Sequence, residues 1–206
     1  GKSYDIEKIK FAFAYAKEMH EGQVRLSGEP YISHPIAVAE IVAQLGLDTD
    51  SICAAFLHDT VEDCPEKTCL EKIMELFGGD VALLVEGVTK IKSINIEDKE
   101  EEHIENVRRM LLAMSKDIRV IFIKLCDRVH NMRTLYVKKD AKRRATALET
   151  MHIYAPLAHR LGMQKIKQEL ENLALQYLDP IGYEEVKRHI DEKYGLNVDF
   201  IENLKI

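Results

Sequence analysis

The chain has 206 residues, 46% of them hydrophobic, with 35 acidic against 29 basic side chains and a net charge of −6. That length fits one domain, or one domain with an appended helical segment, and the apolar content supports a sizeable core. The acidic balance argues against a general nucleic-acid binder, while no signal-peptide pattern and no bilayer-length apolar run are visible, so a soluble, cytoplasmic protein is expected.

Helical periodicity dominates from the start. Ile6, Ile9, Phe13, Ala16 and Met19 recur at helix spacing and stop near Gly22. Gly28 and Pro30 predict a turn that carries Arg25. Ser33 is placed to cap a second helix, with Pro35 in its first turn and an end near Gly46. Asp50 is placed to cap a third through Ala54, Leu57 and His58. Thr68-Cys69-Leu70-Glu71 fits a capping box for a fourth, ended by Gly78-Gly79, and a fifth covers Val81 to Thr89. The polar stretch from Lys92 to Glu102 is expected to be an exposed, mobile loop leading into a helix. Val120-Ile121-Phe122-Ile123 has strand propensity, but its helical surroundings favour a helix from Ile118 to Leu125. Further helices are expected at 141–161, 164–177 and 183–194, with Gly162 and Asp179-Pro180-Ile181-Gly182 between them. The fold class is therefore all-α. Cys53, Cys64, Cys69 and Cys126 form no CxxC pair and read as reduced thiols.

The chemistry concentrates in a few side chains. His34, the adjacent pair His58-Asp59, and Asp127 are all good ligands for a divalent transition metal. A His-Asp pair in a helix-rich chain suggests an HD-type metal phosphohydrolase. Glu62 and Asp63 follow at i+4 from His58 and Asp59, so one helix, or its C-terminal end, could offer two ligands and two acid/base groups to a water. Asp127 follows the apolar run 120–125, and a lone buried aspartate is costly unless paired or metal-bound. Asn131 and Thr134 lie at i+4 and i+7 from it, on one face. Arg25 is a candidate to stack on a base or clamp a phosphate. The other histidines, His20, His103, His130, His152, His159 and His189, are read as packed or surface residues.

Gly22-Gln23-Val24-Arg25, Ser27-Gly28-Glu29-Pro30-Tyr31, His34-Pro35, Leu57 to Asp63, Gly87-Val88-Thr89-Lys90 and Lys124 to Leu135 together resemble the hydrolase domain of the RelA/SpoT homologues, which make and degrade the guanosine alarmones ppGpp and pppGpp. The resemblance runs from about Ile6 to Pro180. It implies an all-α HD fold with one bound metal, usually manganese, held by His34, His58, Asp59 and Asp127. It implies catalysis by Glu62 and Asp63, and substrate contacts from Arg25, Ser27, Asn131 and Thr134. The segment Tyr154 to Gly162, followed by Ile166 to Leu173, resembles the helices that join hydrolase to synthetase in long members. Residues 1–160 then read as the hydrolase domain and 161–206 as connector helices, with a synthetase domain possible in a longer chain. The expected function is metal-dependent alarmone hydrolysis to GDP or GTP and pyrophosphate, tuning the stringent response. The alternatives are hydrolysis of another nucleotide phosphate such as NADPH, or a non-catalytic alarmone-binding module.

Overall fold

The computed structural model describes residues 3–92, 108, 112 and 116–203, and every regular element among them is helical. No described helix is long and apolar enough to cross a membrane. The chain divides into two compact units, Gly1–Val137 and Lys138–Ile206. The boundary read from the sequence, at 160 and 161, falls inside the second unit.

In the first unit α1 (Ile6–Met19) begins at Asp5, whose carboxylate accepts from the Lys8 amide, and buries Ala12, Tyr15, Ala16 and Met19 along one stripe. α2 (Ser33–Gln44) and α3 (Thr49–Leu57) follow. α3 is the hub, packed against α1 and α2, against α6 (Gly79–Lys92) and against α7 (Arg119–Arg133). Its composition explains this. Ser51, Cys53, Ala54 and Ala55 are small enough for neighbouring helices to approach closely, and Ile52 and Leu57 fill the gaps; all six are buried. Each fully buried Leu or Ile contributes roughly 1.5–3 kcal/mol over leaving it in water. α4 (Thr60–Asp63) is a single turn, and α5 (Leu70–Phe77) turns Ile73 and Phe77 inward, Phe77 meeting Tyr15 edge-on at 5.5 Å.

α6 and α7 cross at Gly87. A Cβ at Gly87 would lie 2.6 Å from Val120 Cγ2, so only glycine admits this approach. α7 resolves the helix-or-strand ambiguity of 118–125 in favour of helix. It is fully buried at Val120, Ile121, Ile123, Leu125, Cys126, Val129 and Met132, which is why its sequence shows no amphipathic stripe. Its start is tied to the start of α3, since Arg119 donates to both Asp117 and Asp48.

Several helix starts differ from those expected. Asp48, not Asp50, caps α3, accepting from the Ser51 amide, while Asp50 lies in the first turn and pairs with Lys8. Ser33 is already inside α2 and makes no cap. Cys69 precedes α5, and the Thr68 hydroxyl accepts from Tyr15 instead of closing a capping box. Residues 93–102, expected to be a loop, lie outside the described residues.

In the second unit α8 (Asp140–Glu149), a π turn (Thr150–Tyr154) and α9 (Ala155–Arg160) form one continuous rod, and α10 (Gln164–Leu178) packs back on it through Ile166, Leu170 and Ala174. The wider turn immediately precedes Pro156, which has no N–H to continue the α ladder. α11 (Pro180–Asn203) starts three residues before the expected 183. Asp179 alone breaks the chain: it accepts from the Gly182 amide, and proline suits the first helical position.

Candidate metal centre

His34 enters from the first turn of α2, His58 and Asp59 from the break between α3 and α4, and Asp127 from α7; all four are buried. Of the two placements expected, one helix or its C-terminal end, the second is found: His58 closes α3, and Glu62 and Asp63 lie on the short α4 that follows. α3 stops at Leu57, and Asp59 (φ −98°, ψ −12°) opens α4. The break is slight, since His58 (φ −60°, ψ −29°) and Asp59 both keep right-handed helical backbone angles. The Thr60 hydroxyl holds it by donating to the Leu57 carbonyl at 2.7 Å.

The ligand atoms of His34, His58 and Asp59 all lie within 4.8 Å of one another. Asp59 Oδ2 is 3.4 Å from His34 Nε2 and 3.2 Å from His58 Nε2. Such spacings suit neighbouring ligands of one ion with bonds of roughly 2.1 Å. His58 Nδ1 donates to the Ala55 carbonyl at 2.8 Å, which leaves Nε2 as the bare nitrogen facing the site, as a metal ligand requires. These residues therefore fit a divalent metal ion.

Asp127 Oδ1 is 3.2 Å from His34 Nε2 and 3.9 Å from His58 Nε2. It also accepts from Asn131 at 2.5 Å, while Oδ2 accepts from the buried Lys124 ammonium at 2.9 Å. Burial alone would raise this carboxyl's pKa. The charge of Lys124 and the two imidazoles prevail and hold it well below the usual range. Asp127 is thus a permanent carboxylate. Burial pushes His34 towards its neutral form, also as ligation requires.

Glu62 and Asp63 are exposed on α4. Asp63 is linked to the centre by Tyr31, whose hydroxyl sits 2.6 Å from Asp63 Oδ2 and 2.9 Å from Asp59 Oδ2. Burial and the Asp59 charge raise the phenol's pKa, so its single proton stays available to one carboxylate or the other. Tyr31 is itself stacked on His20 at 4.5 Å, and His20 is hydrogen-bonded to Gln23, which reaches the Asp63 carbonyl.

The expected turn forms before α2. Gly28 has φ +86°, its amide bonds the Arg25 carbonyl, and the Arg25 amide bonds the Glu29 carbonyl. From this turn Arg25 reaches Thr134 Oγ1 at 3.1 Å and His130 Nδ1 at 3.2 Å. Arg25, Thr134 and Asn131 are therefore brought to the same end of α7. Ser27 instead donates to Glu29, at 3.4 Å. Three residues of this surrounding were missed from sequence: Tyr31, Lys124 and His130. Lys124, at i−3 from Asp127, could have been found as a helical partner for the buried charge.

The family model for the HD domain matches residues 12–164. Over 189 residues the chain is 50% identical to a guanosine-3′,5′-bis(diphosphate) 3′-pyrophosphohydrolase of Haemophilus influenzae, covering 92% of this chain and 28% of that protein. It is 47% identical over 199 residues to the bifunctional (p)ppGpp synthase/hydrolase SpoT of Escherichia coli K12, covering 97% and 28%. Among solved structures, one described as a metazoan ortholog of SpoT that hydrolyzes ppGpp and plays a role in starvation responses superimposes with a TM-score of 0.61 at 27% identity, covering 89% of this chain and 98% of that one. The chain spans little more than a quarter of the length of the curated relatives it matches. With the family model covering most of its length and the His-Asp pair at the heart of the buried cluster, the chain belongs to the HD domain family.

Proposed function

We propose that this domain hydrolyses ppGpp and pppGpp at the 3′-pyrophosphate, yielding GDP or GTP and pyrophosphate, with manganese as its ion. The observation that carries the reading is the linkage of two chemistries in one buried cluster. His34, His58 and Asp59 converge, and Tyr31 ties Asp59 to Asp63 of the acidic pair. The names of the relatives, hydrolases of guanosine-3′,5′-bis(diphosphate), supply the substrate class.

His34, His58, Asp59 and Asp127 would hold the ion. When bound, it supplies Lewis acidity to a water molecule and to a phosphate oxygen. Glu62 and Asp63 orient the attacking water and take its proton. The water oxygen joins the phosphorus attached to the ribose 3′ oxygen, that phosphorus–oxygen bond breaks, and the proton ends on the departing 3′ oxygen. Arg25 stacks on the guanine, a contact that a planar guanidinium makes and lysine does not. Ser27, Asn131 and Thr134 bind the nucleoside and its phosphates. Two aspartates against one lysine leave the site negative before an ion binds, so the ion's charge is needed before a polyanionic substrate can approach. Helices from 161 onward connect to a synthetase domain in a longer chain, and the protein acts in the cytoplasm.

The test is pyrophosphate release from ppGpp by the purified chain, with chelator and with manganese, zinc or magnesium restored. Glu62→Gln keeps the size of the side chain and loses its charge. It should retain metal and bind substrate while turnover falls by roughly two to four orders of magnitude. Near wild-type turnover with metal bound would remove Glu62 from the chemistry.

A further inference from the structure

We infer that His130 is a positioning residue through which ion retention and substrate capture are coupled: its Nδ1 accepts hydrogen bonds from both His34 and Arg25. The inference rests on the reading of the site just given. His34 Nδ1 and His130 Nδ1 are 2.7 Å apart, with ring centroids at 4.8 Å. Arg25 Nη1 approaches the same His130 nitrogen at 3.2 Å.

The proton inventory follows from elementary chemistry. A guanidinium has only donors, so His130 Nδ1 must accept from Arg25. His34 turns Nε2 to Asp59 and Asp127, and a ligating nitrogen carries no proton, so the ring proton of His34 is on Nδ1. His34 Nδ1 therefore donates, and His130 Nδ1 is the common acceptor. The proton of the neutral His130 ring then sits on Nε2.

Arg25 also grips the backbone side of the same residue. Its Nη2 donates to Thr134 Oγ1, and the Thr134 hydroxyl donates to the His130 carbonyl at 3.1 Å. Without His130, a buried His34 loses the acceptor that fixes its ring, and Arg25 loses one of its two anchors. Outer-shell partners of this kind commonly govern metal affinity.

The direct test on the unaltered protein is the histidine nitrogen spectrum of the zinc-loaded chain, zinc being diamagnetic. We expect the His130 Nδ1 resonance to be that of an unprotonated nitrogen and the Nε2 resonance that of an N–H; a proton on Nδ1 would overturn the inference. Variants test its consequence. His130→Phe should weaken manganese binding without substrate by roughly 10- to 100-fold. His130→Gln, whose side-chain oxygen can accept both bonds, should recover most of that affinity. For ppGpp, His130→Phe at saturating manganese should raise KM roughly tenfold with a smaller change in kcat. Arg25→Ala/His130→Phe should raise KM no further than Arg25→Ala alone. Wild-type manganese affinity in His130→Phe, or additive effects on KM, would refute the coupling. If the wild-type chain does not turn over ppGpp, the functional reading fails, while the nitrogen spectrum and the manganese titration still decide the role of His130.

Discussion

Replacing Asp127 by alanine should do two separable things, and the structure gives the size of one of them. The Lys124 ammonium lies 2.9 Å from Asp127 Oδ2, and both side chains are almost wholly buried. Removing the acid strands a buried cation, and breaking such a pair from one side costs roughly 3–5 kcal/mol. At roughly 2–4 °C per kcal/mol for a chain of this size, melting should fall by about 6–20 °C. The assay is thermal and urea unfolding in chelator, so that metal loss does not contribute. Lys124→Met/Asp127→Ala removes both charges. It should recover most of the stability while metal binding stays weak by elemental analysis. If Asp127→Ala alone, in chelator, unfolds within about 1 kcal/mol of wild type, Lys124 is not paying a burial cost and the electrostatic account of this corner is wrong.

Tyr31→Phe deletes the hydroxyl shared by Asp59 and Asp63; a hydrogen bond to a charged group is worth about 1.5–3 kcal/mol, so turnover should drop roughly 10- to 100-fold with little change in KM, and an unchanged kcat would refute the link. Gly87→Ala should destabilise by up to about 2 kcal/mol in urea melts: forcing a methyl against Val120 costs about 1–3 kcal/mol, and the gain in helix propensity offsets only about 1. A Gly87→Ala variant more stable than wild type would show that α6 and α7 are free to separate. Burial, aided by the neighbouring His34 and Arg25, lowers the His130 pKa from 6.5 to about 4. Between those values the unfolded chain binds more protons, so the chelated protein should lose stability as the pH falls from about 6.5 towards 4. His34, also lowered, acts in the same direction. His130→Gln should make the slope shallower, and an identical slope would exclude His130 as a contributor.

The helices themselves were legible because their buried positions recur with helical period, as in α1 and α5. α7 resisted because its stretch 120–127 is buried almost all round, and such a segment looks the same as a core strand. Caps were off by a residue or two wherever acceptors were plentiful. Asp48 and Asp50 are both competent; Asp48 takes the Ser51 amide and also receives Arg119, while Asp50 is taken up by Lys8. The placement of His58-Asp59 at a helix end stood as one of two readings, because nothing local distinguishes that end from a continuous helix. His130 and Tyr31 were invisible for a different reason. Their partners are Arg25 and His34, or Asp59 and Asp63, and proximity across 105 or 28 positions is a product of the fold. Arg25 and Asp127, by contrast, could be singled out by a turn signal and by an isolated acid after an apolar run.

The centre takes its side chains from positions 34, 58, 59 and 127, three stretches far apart in sequence. An ion bound there acts as a reversible cross-link, closing two long loops at one point. Closure of long loops is an entropic term that hardly depends on which residues the loops contain. The folded domain and its loaded state are thus linked equilibria: free ion concentration sets stability as well as activity, by RT ln(1 + [L]/Kd). A hundredfold excess of ion over its dissociation constant would add about 2.7 kcal/mol. Chelation would therefore loosen the association of α2, α3 and α7, and metal supply would govern how long this domain survives proteolysis.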